Sequence, residues 1–172
     1  MKNLSLLLII LLLVGCTAEN EVVYTQNISF TVAENEVNIG MNQLGNLLLT
    51  LPLDSILKAN NSDIAHLNKM QLISATLNAN DTNLNKKEIT EFRIDIAGDL
   101  ANNQPGKPFT LASTKEVSAS TQLKTFDTDI SDMYSGRAIY LLPIGTFTKN
   151  QPAPFSMQLK LQWKMVLGQI NK

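Results

Sequence analysis

A chain of 172 residues with one histidine, His66, and one cysteine, Cys16, has few ways to do chemistry. A Ser-His-Asp set would have to pass through His66. Ser62 and Asp63 lie beside it, but on one short segment, whereas a triad draws its members from separate elements. There is no Gly-x-Ser-x-Gly turn to expose a nucleophilic serine, and no glycine-rich loop of the kind that cradles phosphates. A zinc site of the usual nitrogen and sulfur type needs several His or Cys ligands, so it is excluded. His66 is therefore read as a surface or half-buried structural residue, and the protein is expected not to be an enzyme.

Carboxylates are the remaining option. Asp127-x-Asp129-x-x-Asp132 places three acids within six residues. Calcium takes several oxygen ligands from a flexible loop, so this cluster is the one metal reading the sequence offers. The competing reading has the same aspartates capping a turn and the helical turn that follows. Asn80-Asp81-x-Asn83-x-Asn85 resembles the start of an EF-hand loop. It fails where that loop needs glycine, which is Lys86, and where it needs the bidentate glutamate, which is Phe92. Glycoside hydrolysis needs two acids about 5–10 Å apart. Among fifteen acidic residues nothing selects a pair. No cofactor other than calcium is suggested, and no cofactor-binding residue is assigned.

The N-terminus carries a different kind of signal. Lys2 supplies positive charge, Leu4 to Val14 is a nearly unbroken apolar run, and Gly15 and Cys16 follow. Charge, apolar stretch and small residues are the pattern of a secretory signal. The run falls well short of the ~20 residues a membrane-spanning helix needs. Leu13-Val14-Gly15-Cys16 resembles the lipobox of bacterial lipoproteins. That resemblance covers the signal region only. It implies cleavage before Cys16, a diacylglyceryl thioether on its sulfur, and usually N-acylation. Two or three acyl chains give stable anchoring where one is marginal. Residues 1–15 are then a signal peptide, 16–21 a lipidated end and short tether, and 22–172 the domain. The resemblance places the protein in the cell envelope. Thr17 stands where an aspartate would retain some lipoproteins in the inner membrane, so the outer membrane is the expected address. Glu19 and Glu21 loosely resemble surface-export signals of Bacteroidetes lipoproteins.

If the lipid consumes Cys16, the domain has no disulfide and no free thiol, and only its core can hold it together. A length near 150 residues suffices for one core. A net charge of −1 gives no broad electrostatic case for nucleic acid or an anionic membrane surface. Asparagine clusters at Asn60-Asn61, Asn78 to Asn85 and Asn102-Asn103 fit turns, because Asn tolerates left-handed backbone.

These residues must be carried by strands. Phe155, Met157, Leu159, Leu161, Trp163, Met165 and Leu167 alternate with polar residues, apart from Val166. A strict period of two predicts one long strand with one face in the core. Ile28 to Val32 and Phe92 to Ile96 alternate in the same way. Leu47 to Leu51, apolar but for Thr50 and closed by Pro52, and Ile139 to Ile144, interrupted by Pro143, are apolar runs. Met70 to Leu77 reads as a strand with Leu72 and Ile73 inward. Leu53 to Ala59, Asp63 to Lys69 (capped by Ser62) and Asp129 to Tyr134 read as short helical turns. Gly98 to Pro108 is a turn-rich connection. About seven strands with polar turns predict a mainly β protein, an antiparallel β-sandwich of immunoglobulin-like or transthyretin-like type with one to three short helical turns. A half-open barrel is the alternative.

The expected function is a non-catalytic envelope lipoprotein, held to the membrane through Cys16 and binding an envelope protein or serving as a structural component. The alternative is a carrier for a hydrophobic ligand, lipid or glycan. Met41, Met70, Met133, Met157 and Met165 would be its adaptable lining if they face a cavity. Asp54-Ser55-Ile56 fits a short O-glycosylation consensus seen in Bacteroidetes, and equally fits a helix start.

Overall fold

A computed structural model describes residues 20–98, 107–134 and 138–168. The signal peptide, Cys16, most of the Gly98 to Pro108 connection and Gly136 lie outside these residues. Nine strands form one antiparallel sheet: β1 (Asn20–Val32), β2 (Gly40–Gln43), β3 (Leu47–Leu48), β4 (Leu67–Asn78), β5 (Ile89–Gly98), β6 (Phe109–Thr114), β7 (Ser120–Thr125), β8 (Ile139–Phe147) and β9 (Phe155–Leu167). Their spatial order is β1-β9-β4-β7-β6-β5-β8-β2, with β3 also on β8. The one α-helix among the described residues, α1, spans Leu53–Ala59.

The sheet curls over on itself. Four strands, β1-β9-β4-β7, make one half, and β6, β5, β8 and the short β2 and β3 make the other. Between them β6 and β7 share only two paired positions, Ala112 with Thr125 and Ser113 with Lys124. That short ladder is the fold line. Inner faces of both halves meet in one core, where Trp163, Phe92, Phe147, Phe155 and Leu111 are almost wholly buried. Phe147 on β8 meets Phe155 on β9, ring centroids 6.3 Å apart, across the interior. The protein is thus a mainly antiparallel β-sandwich built from one continuous sheet, not from the two separate sheets of an immunoglobulin domain.

β9 shows most directly how sequence makes the element. It spans the residues the alternation marks, and all seven inward side chains are buried. Its central position follows, since it pairs with β1 on one side and β4 on the other. Pro143 lies inside β8, which ordinarily marks an edge or an interruption. Here β8 pairs with β2 from Ile144 to Phe147 and with β3 only at Tyr140 and Leu141. Pro143 falls in the gap between them, and its carbonyl accepts from the Leu44 N–H at 2.8 Å.

Several expectations change. Asp63 to Lys69 is not a helix: a single 3₁₀ turn, Ile64–His66, leads at once into β4. Its cap is Asp63, which accepts from the Ala65 N–H, while the Ser62 hydroxyl donates to the Gly168 carbonyl at 2.8 Å. Ile73 is not inward. It is 37% exposed beside the register shift between Leu72 and Ser74, which turns it out of the core. The Leu47 to Leu51 run is strand only at Leu47–Leu48. A 3₁₀ turn at Lys86–Glu88 makes four short helical elements among the described residues, one more than expected. β1 begins at Asn20 and so absorbs two residues of the expected tether.

Candidate functional site

The three aspartates of the calcium reading do not form a cation site. The Asp127 carboxylate takes the Lys69 ammonium at 3.1 Å. Asp129 Oδ1 accepts from the backbone N–H of Met70 at 2.9 Å and of Ser131 at 3.0 Å. Asp132 is exposed in the 3₁₀ turn Ser131–Tyr134. Among the described residues no group of three or more His, Cys, Asp or Glu side chains could hold a metal ion. Partial burial raises the Asp129 carboxyl, but the two backbone donors, the Ser131 hydroxyl and the Lys69 charge together outweigh it and hold the pKa below the ordinary value. The physical reason is plain: a carboxylate already satisfied by N–H donors caps a turn and pins it to β4.

His66 sits beside Asp63, with Nδ1 2.6 Å from Oδ1 and both side chains substantially exposed. That is a local pair on one turn. Asp81, from the rejected EF-hand likeness, works as a structural clasp. One oxygen accepts from the Asn83 N–H at 2.9 Å and the other from the Ser156 N–H at 2.7 Å, tying the loop to the start of β9. These two backbone donors, Asn83 first, hold its pKa below the usual value.

A charged pair that the sequence does not reveal lies on β5. Asp95 is only 6% exposed. It accepts from Arg93 Nε at 3.2 Å and from the Thr110 hydroxyl at 2.7 Å. The pairing of β5 with β6 slips by one residue between Ile94 and Asp95. Simple alternation of Phe92, Ile94 and Ile96 puts Asp95 on the outer face, and only its neighbours make that position buried.

A cleft opens beside α1. It measures about 660 Å³ and is lined by Leu49, Leu51, Pro52, Leu53, Ile64 and Tyr134 among others. Burial pushes the Tyr134 hydroxyl well above its ordinary pKa, and that hydroxyl has no hydrogen-bond partner among the described residues. The methionines expected to line a carrier's cavity do not line this one. Met70, Met157 and Met165 are packed in the core, and Met41 is exposed on β2. Asp54 and Ser55 of the glycosylation consensus are exposed at the start of α1, on the rim of the same cleft.

The most unusual surface is the free edge of β1. All thirteen of its residues pair with β9 without a register shift. Among the described residues, no backbone hydrogen bond joins its other side to anything. An unpaired edge is a template for another strand, and proteins ordinarily blunt it by shortness, lysine, proline or a bulge. The opposite end of the sheet is blunted: β2 has four residues and β3 two. β1 has no Lys, no Pro and no bulge, and its one charged residue, Glu21, is paired with Lys164. The Gln26 side-chain amide donates to the Thr50 carbonyl at 3.0 Å.

Neither a family model nor a curated protein sequence matches this chain. Three solved structures similar to it are viral. One is Desmodium yellow mottle tymovirus, 12% identical, TM-score 0.30, covering 89% of this chain and 91% of that one. A second is the 60-mer BFDV capsid protein, 10% identical, TM-score 0.34, covering 92% and 98%. A third is the empty head of Turnip yellow mosaic virus, 11% identical, TM-score 0.26, covering 86% and 83%. At such TM-scores the likeness carries no argument about function.

Proposed function

We propose that this protein is a lipid-anchored component of a bacterial cell envelope whose β-sandwich domain acts by binding protein rather than by catalysis. Two features support the reading from different ends of the chain. The lipobox-like Leu13-Val14-Gly15-Cys16 supplies the address, the anchor on Cys16 and, with Thr17 after it, the outer membrane. Of the two, the observation that carries the activity is the open edge of β1, thirteen residues long and lacking the devices that blunt an edge. An added strand gains main-chain hydrogen bonds along such an edge and needs no pocket. The residues equipped for chemistry are occupied elsewhere: Asp81 and Asp129 hold backbone, and His66 and Asp63 hold each other. No helix among the described residues is long and apolar enough to cross a membrane, which leaves membrane attachment in this reading to the lipid.

The test is to crosslink the lipidated protein mildly in its native envelope, recover it, and identify proteins and lipids by mass spectrometry. A stoichiometric protein crosslinked through β1 residues is the expected result. A co-purifying lipid or glycan with no protein would overturn the reading. It would favour the carrier alternative, whose supporting observation is the 660 Å³ cleft beside α1.

A further inference from the structure

We infer that the occupant of the β1 edge is a second copy of β1, paired antiparallel about a two-fold axis through Gln26; this rests on the protein-binding reading and names its partner. A two-fold antiparallel pair sets residue i against residue j with a constant sum. Alternation allows only registers that keep inward side chains opposite inward ones. Centring on Gln26 is the one such register that uses the whole strand, from Asn20 to Val32.

The side chains agree with that register on both faces. On the inner face Val22 meets Phe30 and Tyr24 meets Ile28. Val22, Tyr24 and Ile28 are only partly buried against the core of one copy, so the pairing would cover them further. On the outer face Glu21 meets Thr31, Val23 meets Ser29 and Thr25 meets Asn27. Val23 is 56% exposed in a single copy, and the added strand would shield it. No like charges come opposite each other. Glu21, the strand's single charge, lands against a hydroxyl at the far end of the partner strand. The Gln26 side chain stays on its bond to Thr50 inside each copy, and no backbone partner among the described residues has to be displaced. The same surface patch serves both copies, which is the isologous contact of a closed dimer and cannot run on into a fibre.

Lipidated full-length protein in detergent, studied by sedimentation and native mass spectrometry, tests this. The unaltered protein is expected to be a concentration-dependent dimer. Thr25→Lys together with Asn27→Lys sets like charges opposite each other twice about the axis, and should weaken the dimer by about tenfold or more. Both positions face outward, and an unchanged melting temperature would show that the fold is kept. Thr25→Cys together with Asn27→Cys should form an intermolecular disulfide under mild oxidation, because directly opposed Cβ atoms lie about 4.5–5.5 Å apart. Within one extended strand the same two positions cannot bridge.

A protein that stays monomeric throughout the micromolar range overturns the inference, as does a dimer indifferent to the paired lysine substitutions. A monomer that still crosslinks an envelope protein through β1 overturns self-pairing and leaves the protein-binding reading standing. Failure of both would remove the two together.

Discussion

Asp81 and Asp129 each hold two backbone N–H groups with one carboxylate, and the consequences are measurable. Both carboxyls sit below the ordinary 3.8. A depressed folded pKa means that the unfolded chain takes up protons first as the solution is acidified. The stability these groups contribute is therefore complete above the unfolded value and is lost as pH falls through the folded one. Glu88 adds to this, lowered chiefly by the Gln151 amide. Melting temperature should be level from neutral pH to about 5 and fall below about 4. Asp81→Asn with Asp129→Asn should flatten that fall; an unchanged acid limb would refute the assignment. Asp129→Ala should cost about 1 kcal/mol as a lost cap, and added calcium should not alter its melting. On β5, Arg93→Ala should be more harmful than Asp95→Asn, because it leaves a buried carboxylate without its cation. Chemical denaturation of the two variants checks the order. At this scale the sequence was half legible. The aspartates were visible as oxygen donors, and the capping alternative describes Asp129, while Asp127 pairs with Lys69 instead. Asp95 was invisible, because its burial comes from residues distant in sequence.

Strands were legible where one face is buried and one is wet. Alternation in β9 is interrupted only by Val166, so its limits and inward set follow from the sequence. β6 and β7 escaped notice because their polar content reads as connection. Phe109–Thr114 and Ser120–Thr125 are strands because β5 and β4 offer them edges. Leu67 to Lys69 looked helical, and β9 overrode that local preference by pairing with Leu67 and Lys69. Gly145 in β8 illustrates a constraint set by packing. A Cβ there would lie 2.6 Å from the Phe147 ring and 3.2 Å from Leu44. Phe147 is itself 2% exposed and has little room to yield. Gly145→Ala should therefore destabilise by about 1–3 kcal/mol through overpacking, read as a lower denaturation midpoint with unchanged slope. Equal stability would mean that the ring can move aside.

The whole molecule is one core enclosed by a single curled sheet, and Trp163 lies near its middle with an indole N–H that has no partner among the described residues. Its emission should be blue-shifted in the folded state. Because both halves share that core, fluorescence and circular dichroism should trace one coincident unfolding transition; separate transitions would mean that the halves unfold independently. Sandwich class was legible from the number and pattern of strands, while the single continuous strand order was not, since the fold line rests on two paired positions between polar strands. The open edge was equally hidden, because which strand lies outermost is a property of topology. The account as a whole depends on the anchor that would hold this domain at a membrane. The most direct test is the intact mass of the protein extracted from its native membrane, with sequencing of the N-terminal peptide. The expected result is a chain beginning at Cys16 that carries a diacylglyceryl group and, in most molecules, an amide-linked acyl chain. A chain that begins elsewhere, or begins at Cys16 with an unmodified thiol, would contradict it.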